Sequence, residues 1–136
     1  MIEGLSHMTF IVRDLDKMAR ILTEILGGVE VYDSGEDSFS IAAERFFDVN
    51  GLWIAIQEGD PLYERSYNHV AFKVKPGDMD ACRKKIEALG LDIRAPRPRI
   101  EGEGQSIYFH DYDNHLFELH SGTLNERLRS YAQAAE

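Results

Sequence analysis

One phrase occurs twice in this chain. Gly4-Leu5-Ser6-His7-Met8-Thr9-Phe10-Ile11-Val12 opens the first half and Tyr67-Asn68-His69-Val70-Ala71-Phe72-Lys73-Val74 opens the second, with His-x-x-Phe-x-Val in common. In each half the phrase leads into an amphipathic helical pattern that stops at glycine and then into further alternating segments. Such a duplication restricts the fold to paired modules. Related halves packed about a pseudo-twofold axis bring sequence-distant histidines to equivalent places, as a metal site requires.

Alternation in the first phrase puts Met8, Phe10 and Val12 on one strand face and His7, Thr9 and Ile11 on the other, so the apolar set faces the helices. Asp14 is a good N-cap for a helix with Leu15, Met18, Leu22 and Ile25 on one stripe, ended by Gly27-Gly28. Strands are predicted at Glu30 to Tyr32, Ser38 to Ala42 and Leu52 to Gln57, with turns at Asp33-Ser34-Gly35 and Asn50-Gly51. The second half repeats the order. A strand from His69 to Val74 precedes a helix with Met79, Cys82, Ile86 and Leu89 on its stripe, closed by Gly90. Strands follow at Asp92 to Arg94, Ser106 to His110 and Leu116 to His120, with a tight turn across 111–114.

The predicted fold class is therefore α+β, a β-α-β-β-β module used twice within one domain spanning 1–136. Module one covers about 1–60 and module two about 67–122, with a polar linker between them. Glu101-Gly102-Glu103-Gly104 reads as a flexible acidic loop. Thr123-Leu124-Asn125-Glu126 fits a capping box that starts a terminal helix over about 123–132, and Gln133 to Glu136 are expected to fray.

The 136 residues are enough to bury a core without staples. A net charge of -9 repels nucleic acid and anionic membranes, which excludes both as expected partners. An anionic small substrate needs a local basic pocket. One cysteine, Cys82, cannot form an internal disulfide, and no charged leader or long apolar run is present, so a soluble cytoplasmic protein is expected.

Strand parity then sorts the polar residues. His7 and Thr9, Tyr67 and His69, Trp53 with Ala55 and Gln57, Ser106 with Tyr108 and His110, and Glu118 with His120 all lie opposite the helix-facing sets. One sheet face thus reads as a concave, ligand-filled cavity. His7, His69 and Glu118 are the expected metal ligands, because two imidazoles and a carboxylate leave positions open for a substrate. Singly, each histidine reads equally as a satisfied, partly buried side chain. Matching places in the repeated phrases, with a carboxylate on the same face, favour the metal. Aligning the halves at Gly59 and Gly122 sets Ala55 opposite Glu118, where alanine supplies no fourth ligand. A rival trio, His110, His115 and His120, has mixed parity and reads as surface and supporting residues.

Glu44 lies between small apolar and aromatic residues, and two readings stand side by side: a solvated carboxylate paired with Arg45, or a general base beside the metal. Arg94, Arg97, Arg99 and Arg127 are the notable basic concentration. With Ser106 and Tyr108 they suggest a phosphate-like or carboxylate pocket. No Walker or dinucleotide motif accompanies them.

Taken together, these residues resemble the vicinal oxygen chelate superfamily, the group of glyoxalases, bleomycin-resistance proteins and dioxygenases, over nearly the whole chain. Gly4-Leu5-Ser6-His7, Tyr67-Asn68-His69, the run Glu101 to Phe109, and Phe117-Glu118-Leu119-His120 resemble its fosfomycin-resistance proteins, of the epoxide-hydrolysing FosX type. The resemblance implies a strand-exchanged homodimer with shared active sites, in which His7 of one subunit joins His69 and Glu118 of the other around manganese(II). It also implies a phosphonate pocket of Ser106, Tyr108 and Arg127, with Arg94 as the basic residue before the Gly-rich loop and Arg97 as its competitor. Trp53 and Tyr67 line the same cavity. Thr9 matches a hydroxyl beside the reacting epoxide. Glu44, ahead of Gly51-Leu52-Trp53, matches the base of the hydrolase branch, and the long loop 101–105 departs from the compact potassium loop of the glutathione branch.

The expected activity is addition of water to the epoxide of fosfomycin, giving an inactive diol and antibiotic resistance. Three alternatives accompany it: a thiol transferase using glutathione, cysteine or bacillithiol on the same drug, a metal-free drug-binding protein, and a ring-cleaving dioxygenase whose iron(II) uses the same ligand types.

Overall fold

The computed structural model describes residues 1–136. Its eight strands and three α-helices divide into two units, the first made of 1–65 with 111–114 and the second of 66–110 with 115–136. The first contains β1 (His7–Val12), α1 (Leu15–Arg20), β2 (Val29–Asp33), β3 (Glu44–Val49) and β4 (Leu52–Glu58). Its sheet order is β1-β4-β3-β2, with β1 parallel to β4 and the other neighbours antiparallel. The second contains β5 (His69–Lys73), α2 (Met79–Ala88), β6 (Ile93–Arg94), β7 (Ser106–His110), β8 (Leu116–His120) and α3 (Leu124–Ala134). Its order, β5-β8-β7-β6, repeats the first, including the parallel pair. The α+β class with two equivalent modules follows directly.

Sheet parity explains the burial. In the first unit Phe10, Val12, Phe47, Ile54 and Ile56 share one face and are buried there, while His7 and Thr9 stand exposed on the other. In the second, Ile107, Phe109, Phe117 and Leu119 are the buried set. Asn50 and Gly51, at φ 49° and 87°, form the tight β3–β4 turn whose twist matches the strands it joins. Cys82 is half-buried on α2, where burial raises its thiol pKa.

Three local expectations need correction. The segment Ser38 to Ala42 is not a strand: Ser38 Oγ donates to the Ala42 carbonyl and closes the segment on itself. Pairing begins at Glu44, whose carbonyl accepts from Ser34 N at 2.9 Å. The first helix also does not stay α-helical to its end, although Met18, Leu22 and Ile25 of its stripe are buried. Asp14 caps it as expected, its Oδ1 accepting from Lys17 N at 3.0 Å, but over Ile21–Ile25 it widens to a π-type turn in which Leu26 N–H reaches the Ile21 carbonyl at 3.2 Å. Ile21 and Leu22 follow Met18 by three and four residues, so both fall on the buried face of the helix. Ile21 and Leu22 are both fully buried, while Leu15 is only half-buried. Finally, α3 is capped by Thr123, whose hydroxyl accepts from Glu126 N at 3.2 Å, and it continues through Gln133 to Ala134. No helix is long and apolar enough to cross a membrane.

Ile21→Ala should therefore cost ~2–5 kcal/mol of stability in urea unfolding, the range for truncating a fully buried Ile. A loss below ~0.5 kcal/mol, the size expected of a surface position, would contradict the burial of that residue.

Candidate metal and anion site

In the second unit the parallel pairing of β5 with β8 and the antiparallel pairing of β8 with β7 put His69, Ala71, Glu118, His120, Ser106 and Tyr108 on one face, with Tyr108 directly across from Glu118. His69 Nδ1 lies 2.7 Å from the Tyr67 carbonyl. A carbonyl only accepts, so a ring proton is on Nδ1, and in the neutral imidazole Nε2 then carries a lone pair. That lone pair sits 3.1 Å from Glu118 Oε1. Two acceptors this close repel unless a proton or a cation lies between them, and a histidine fixed by a backbone carbonyl at its other nitrogen is the arrangement metal ligands adopt.

The other carboxylate oxygen is fully engaged. Glu118 Oε2 accepts from Ser106 Oγ and, at 3.3 Å, from Arg99 Nη2. Burial raises the Glu118 pKa, but the Ser106 hydroxyl, His120 and Tyr108 outweigh it and hold the group below its ordinary value. Ser106 has one proton, given to Glu118, so its oxygen accepts from His120 Nδ1 at 2.7 Å and from Arg99 Nη2 at 2.7 Å. His120 then presents its Nε2 lone pair to Arg127 Nη2 at 3.4 Å. Burial first, and the nearby arginines with it, lowers the His120 pKa despite Glu118. Tyr108 is pushed up to about 12, chiefly by burial and then by its hydrogen bond with the Tyr67 hydroxyl 3.1 Å away, so its phenol keeps its proton.

The structure redistributes the basic residues. Arg99 Nη2 reaches Ser106, Tyr108 (3.1 Å) and Glu118 together. Arg94, which pairs with Tyr108 across β6 and β7, instead lays its guanidinium 4.9 Å from the centre of the Tyr67 ring. Arg97 turns to Glu103 Oε1 at 2.7 Å. Tyr67, Arg94, Ala95, Pro96, Arg97 and Tyr108 line a cleft of about 450 Å³. Arg99 was visible in the sequence as one of four arginines, but nothing local distinguished it. The loop 101–105 is also not a free acidic loop, because Glu103 is buried at 2% exposure. His110 is buried too, at the end of β7.

In the first unit, pairing aligns His7, Thr9, Trp53, Ala55, Gln57, Phe46 and Glu44 on one face. His7 Nδ1 is 3.0 Å from Ser6 Oγ and its ring lies 4.2 Å from the Trp53 ring, which leaves Nε2 as its outward atom. Glu44 is 7% exposed, and one oxygen, Oε2, accepts from Gln57 Nε2 at 3.0 Å. It makes no ion pair with Arg45, whose partners are Asp16, Glu30 and Asp33. Neither unit by itself brings together three His, Cys, Asp or Glu side chains able to hold a metal ion.

A model of the Glyoxalase/Bleomycin resistance protein/Dioxygenase superfamily matches residues 4–119. The chain is 57% identical over 136 residues to a fosfomycin resistance protein FosX of Mesorhizobium japonicum, covering 100% of this chain and 98% of that one. The crystal structure of a mutant FosX from Listeria monocytogenes, complexed with Mn(II) and 1S,2S-dihydroxypropylphosphonic acid, superposes with a TM-score of 0.88 at 51% identity, covering 96% of this chain and 99% of that one. A metallothiol transferase FosB of Shouchella clausii is more distant, 34% identical over 99% of this chain and 91% of its own length.

Glu103 generates a pH prediction. Arg97 first, then the Ile100 amide and the Tyr131 hydroxyl, hold its carboxyl at about 2 against an ordinary 4.5. A depressed carboxylate contributes stability above the ordinary value and loses it as pH falls toward the depressed one. The stability difference between wild type and Glu103→Gln should therefore be flat from neutral pH to about 4.5 and shrink below it, in urea unfolding across that range. A difference that persists unchanged below that pH would contradict the ion pair as its source.

Proposed function

The chain belongs to the Glyoxalase/Bleomycin resistance protein/Dioxygenase superfamily, and from that premise we propose that it inactivates fosfomycin by adding water to the epoxide. His7, His69 and Glu118 would hold manganese(II), with the His69–Glu118 acceptor pair as the fit between the residues and a cation. When bound, the metal supplies Lewis-acid stabilisation of the oxygen that leaves carbon as the ring opens. Arg99, Ser106, Tyr108 and Arg127 bind the phosphonate, with Arg99 in the place that Arg94 was expected to fill. Arg94 and Tyr67 form the wall of the adjoining cleft. Trp53 packs its ring against His7, and Thr9 would set a hydroxyl beside the ring oxygen.

The observation that carries the reading is Glu44, a carboxylate with 7% exposure on the His7 and Thr9 face, one oxygen tied to Gln57 and the other available. It takes a proton from water as the water oxygen bonds to the carbon next to phosphorus and the carbon–oxygen bond opposite breaks. Protonation of the freed alkoxide completes the diol, so no thiol is consumed. General-base assistance is worth ~100- to 10,000-fold, and Glu44→Gln should lower kcat by that much with phosphonate binding retained. Product mass and phosphorus NMR should show the same diol with and without added thiol. Wild-type kcat in Glu44→Gln removes the base, and a thiol adduct as product selects the transferase alternative.

The site is completed, in this reading, by a second copy of the chain. Neither unit alone gathers three ligands, and Val31, Leu52 and Trp53 leave an exposed apolar cleft of about 450 Å³ on the first unit. Mixing is diagnostic. A dimer of His7→Ala with His69→Ala would hold one site lacking both ligands and one intact, so co-refolded inactive variants should regain about a quarter of wild-type turnover. No recovery would place the ligands within one chain.

A further inference from the structure

We propose that Glu103 is a positioning residue for anion recognition, the shared counter-ion that draws Arg97, Arg99 and Arg127 to one edge of the site and aims Arg99 at the phosphonate. The inference rests on the proposed phosphonate pocket and deepens it. Nothing in the reaction uses Glu103 directly. Its place in the fold is nevertheless tightly specified.

Glu103 Oε1 lies 2.7 Å from Arg97 Nη2, 3.9 Å from Arg99 Nη1 and 4.0 Å from Arg127 Nε, and it accepts from the Tyr131 hydroxyl at 2.8 Å. Oε2 accepts from Ile100 N at 2.8 Å. Three guanidinium groups share one oxygen, and like charges gathered this closely disperse into water unless an anion sits among them. Arg97 and Arg127 each have a third of their side chain exposed, so both have solvent to disperse into. Arg99 is different, because its two ends are unlike: Nη2 hydrogen-bonds to Glu118, Ser106 and Tyr108, while Nη1 is buried without a hydrogen-bond partner, with Glu103 Oε1 3.9 Å away as the charge facing it. The hydrogen bonds of Nη2 anchor the guanidinium and the charge of Glu103 offsets the cost of burying Nη1 beside it, which together favour one edge toward an anion.

The backbone is built to deliver this carboxylate. Gly102 and Gly104, at φ 88° and 81°, turn the chain on either side of Glu103 and push its side chain inward between exposed neighbours. A Cβ at Gly104 would meet Gly122 N at 2.8 Å, so the loop closes against the end of β8. On the other side Ser130 Oγ donates to the Glu101 carbonyl and ties the loop to α3. A loop of glycine and glutamate is held at both ends around one buried anion.

The opposite possibility has a distinct signature. A carboxylate among arginines could merely dilute their charge, and then its neutralisation would tighten anion binding. The test is calorimetric titration of the manganese-loaded full chain with methylphosphonate, together with steady-state kinetics on fosfomycin. For Glu103→Gln we expect methylphosphonate affinity to fall about tenfold or more and KM for fosfomycin to rise in step, with kcat within about threefold of wild type, the pattern of lost binding rather than lost chemistry. A folding defect alone would lower the binding-competent fraction without moving KM. Glu103→Asp, which keeps the charge but shortens its reach, should show an intermediate loss and serves where the glutamine variant does not fold. Affinity equal to or greater than wild type in the glutamine variant, or in the aspartate variant where it stands in, overturns the inference. If wild type binds methylphosphonate but forms no diol, the reaction reading fails and the inference stands. If wild type does not bind methylphosphonate, the pocket and the inference fall together.

Discussion

Two acceptor atoms facing each other at 3.1 Å, His69 Nε2 and Glu118 Oε1, are the constraint around which the second unit is arranged. The Tyr67 carbonyl determines which imidazole nitrogen carries the proton, and Ser106 and Arg99 occupy the carboxylate oxygen turned away from the imidazole. Every donor in reach is thereby directed to Oε2, and Oε1 is left facing another lone pair. A proton or a cation between the two atoms makes that geometry favourable, and the open face beside them suits a metal ion. The strand order β5-β8-β7-β6 is what creates it, since histidine, carboxylate and hydroxyl come from three adjacent strands with the same parity.

Around that pair the protein separates two kinds of charge. The chain carries a net charge of -9, yet four arginines collect beside Ser106 and Tyr108. An anionic substrate is thus attracted locally against a repulsive global field. Tyr108 and His120 serve as neutral members of the network, the first because burial and Tyr67 keep its phenol protonated, the second because burial and the arginines disfavour its charged form. In the first unit, Glu44 has the opposite design: a carboxylate facing the sheet surface that bears His7, held through one oxygen by an amide and by no arginine.

Much of this was legible in the residues. The repeated His-x-x-Phe-x-Val phrase identified both modules, period-two alternation assigned His69, Glu118, Ser106 and Tyr108 to one face, and Asp14 and Thr123 announced their helices. What escaped depends on contacts distant in sequence. Glu103 between glycines reads as solvent-facing because its burial comes from Arg97 and from Tyr131 on α3. Arg99 meets Ser106 and Arg94 does not, because the course of the loop turns one toward Ser106 and the other onto Tyr67. The π-type turn over Ile21–Ile25 leaves the 3.6-residue stripe of Met18, Ile21, Leu22 and Ile25 intact and so has no signal in the apolar pattern, and β3 starts at Glu44 because Ser38 ties up the preceding segment.

The central claim is that the His69–Glu118 pair exists to hold a divalent cation, and manganese binding monitored by electron paramagnetic resonance tests it most directly. Titration of the wild-type chain should saturate at one manganese ion per chain, and His69→Ala should abolish tight binding while remaining folded by circular dichroism. A folded His69→Ala chain that takes up manganese as tightly as wild type would contradict the account.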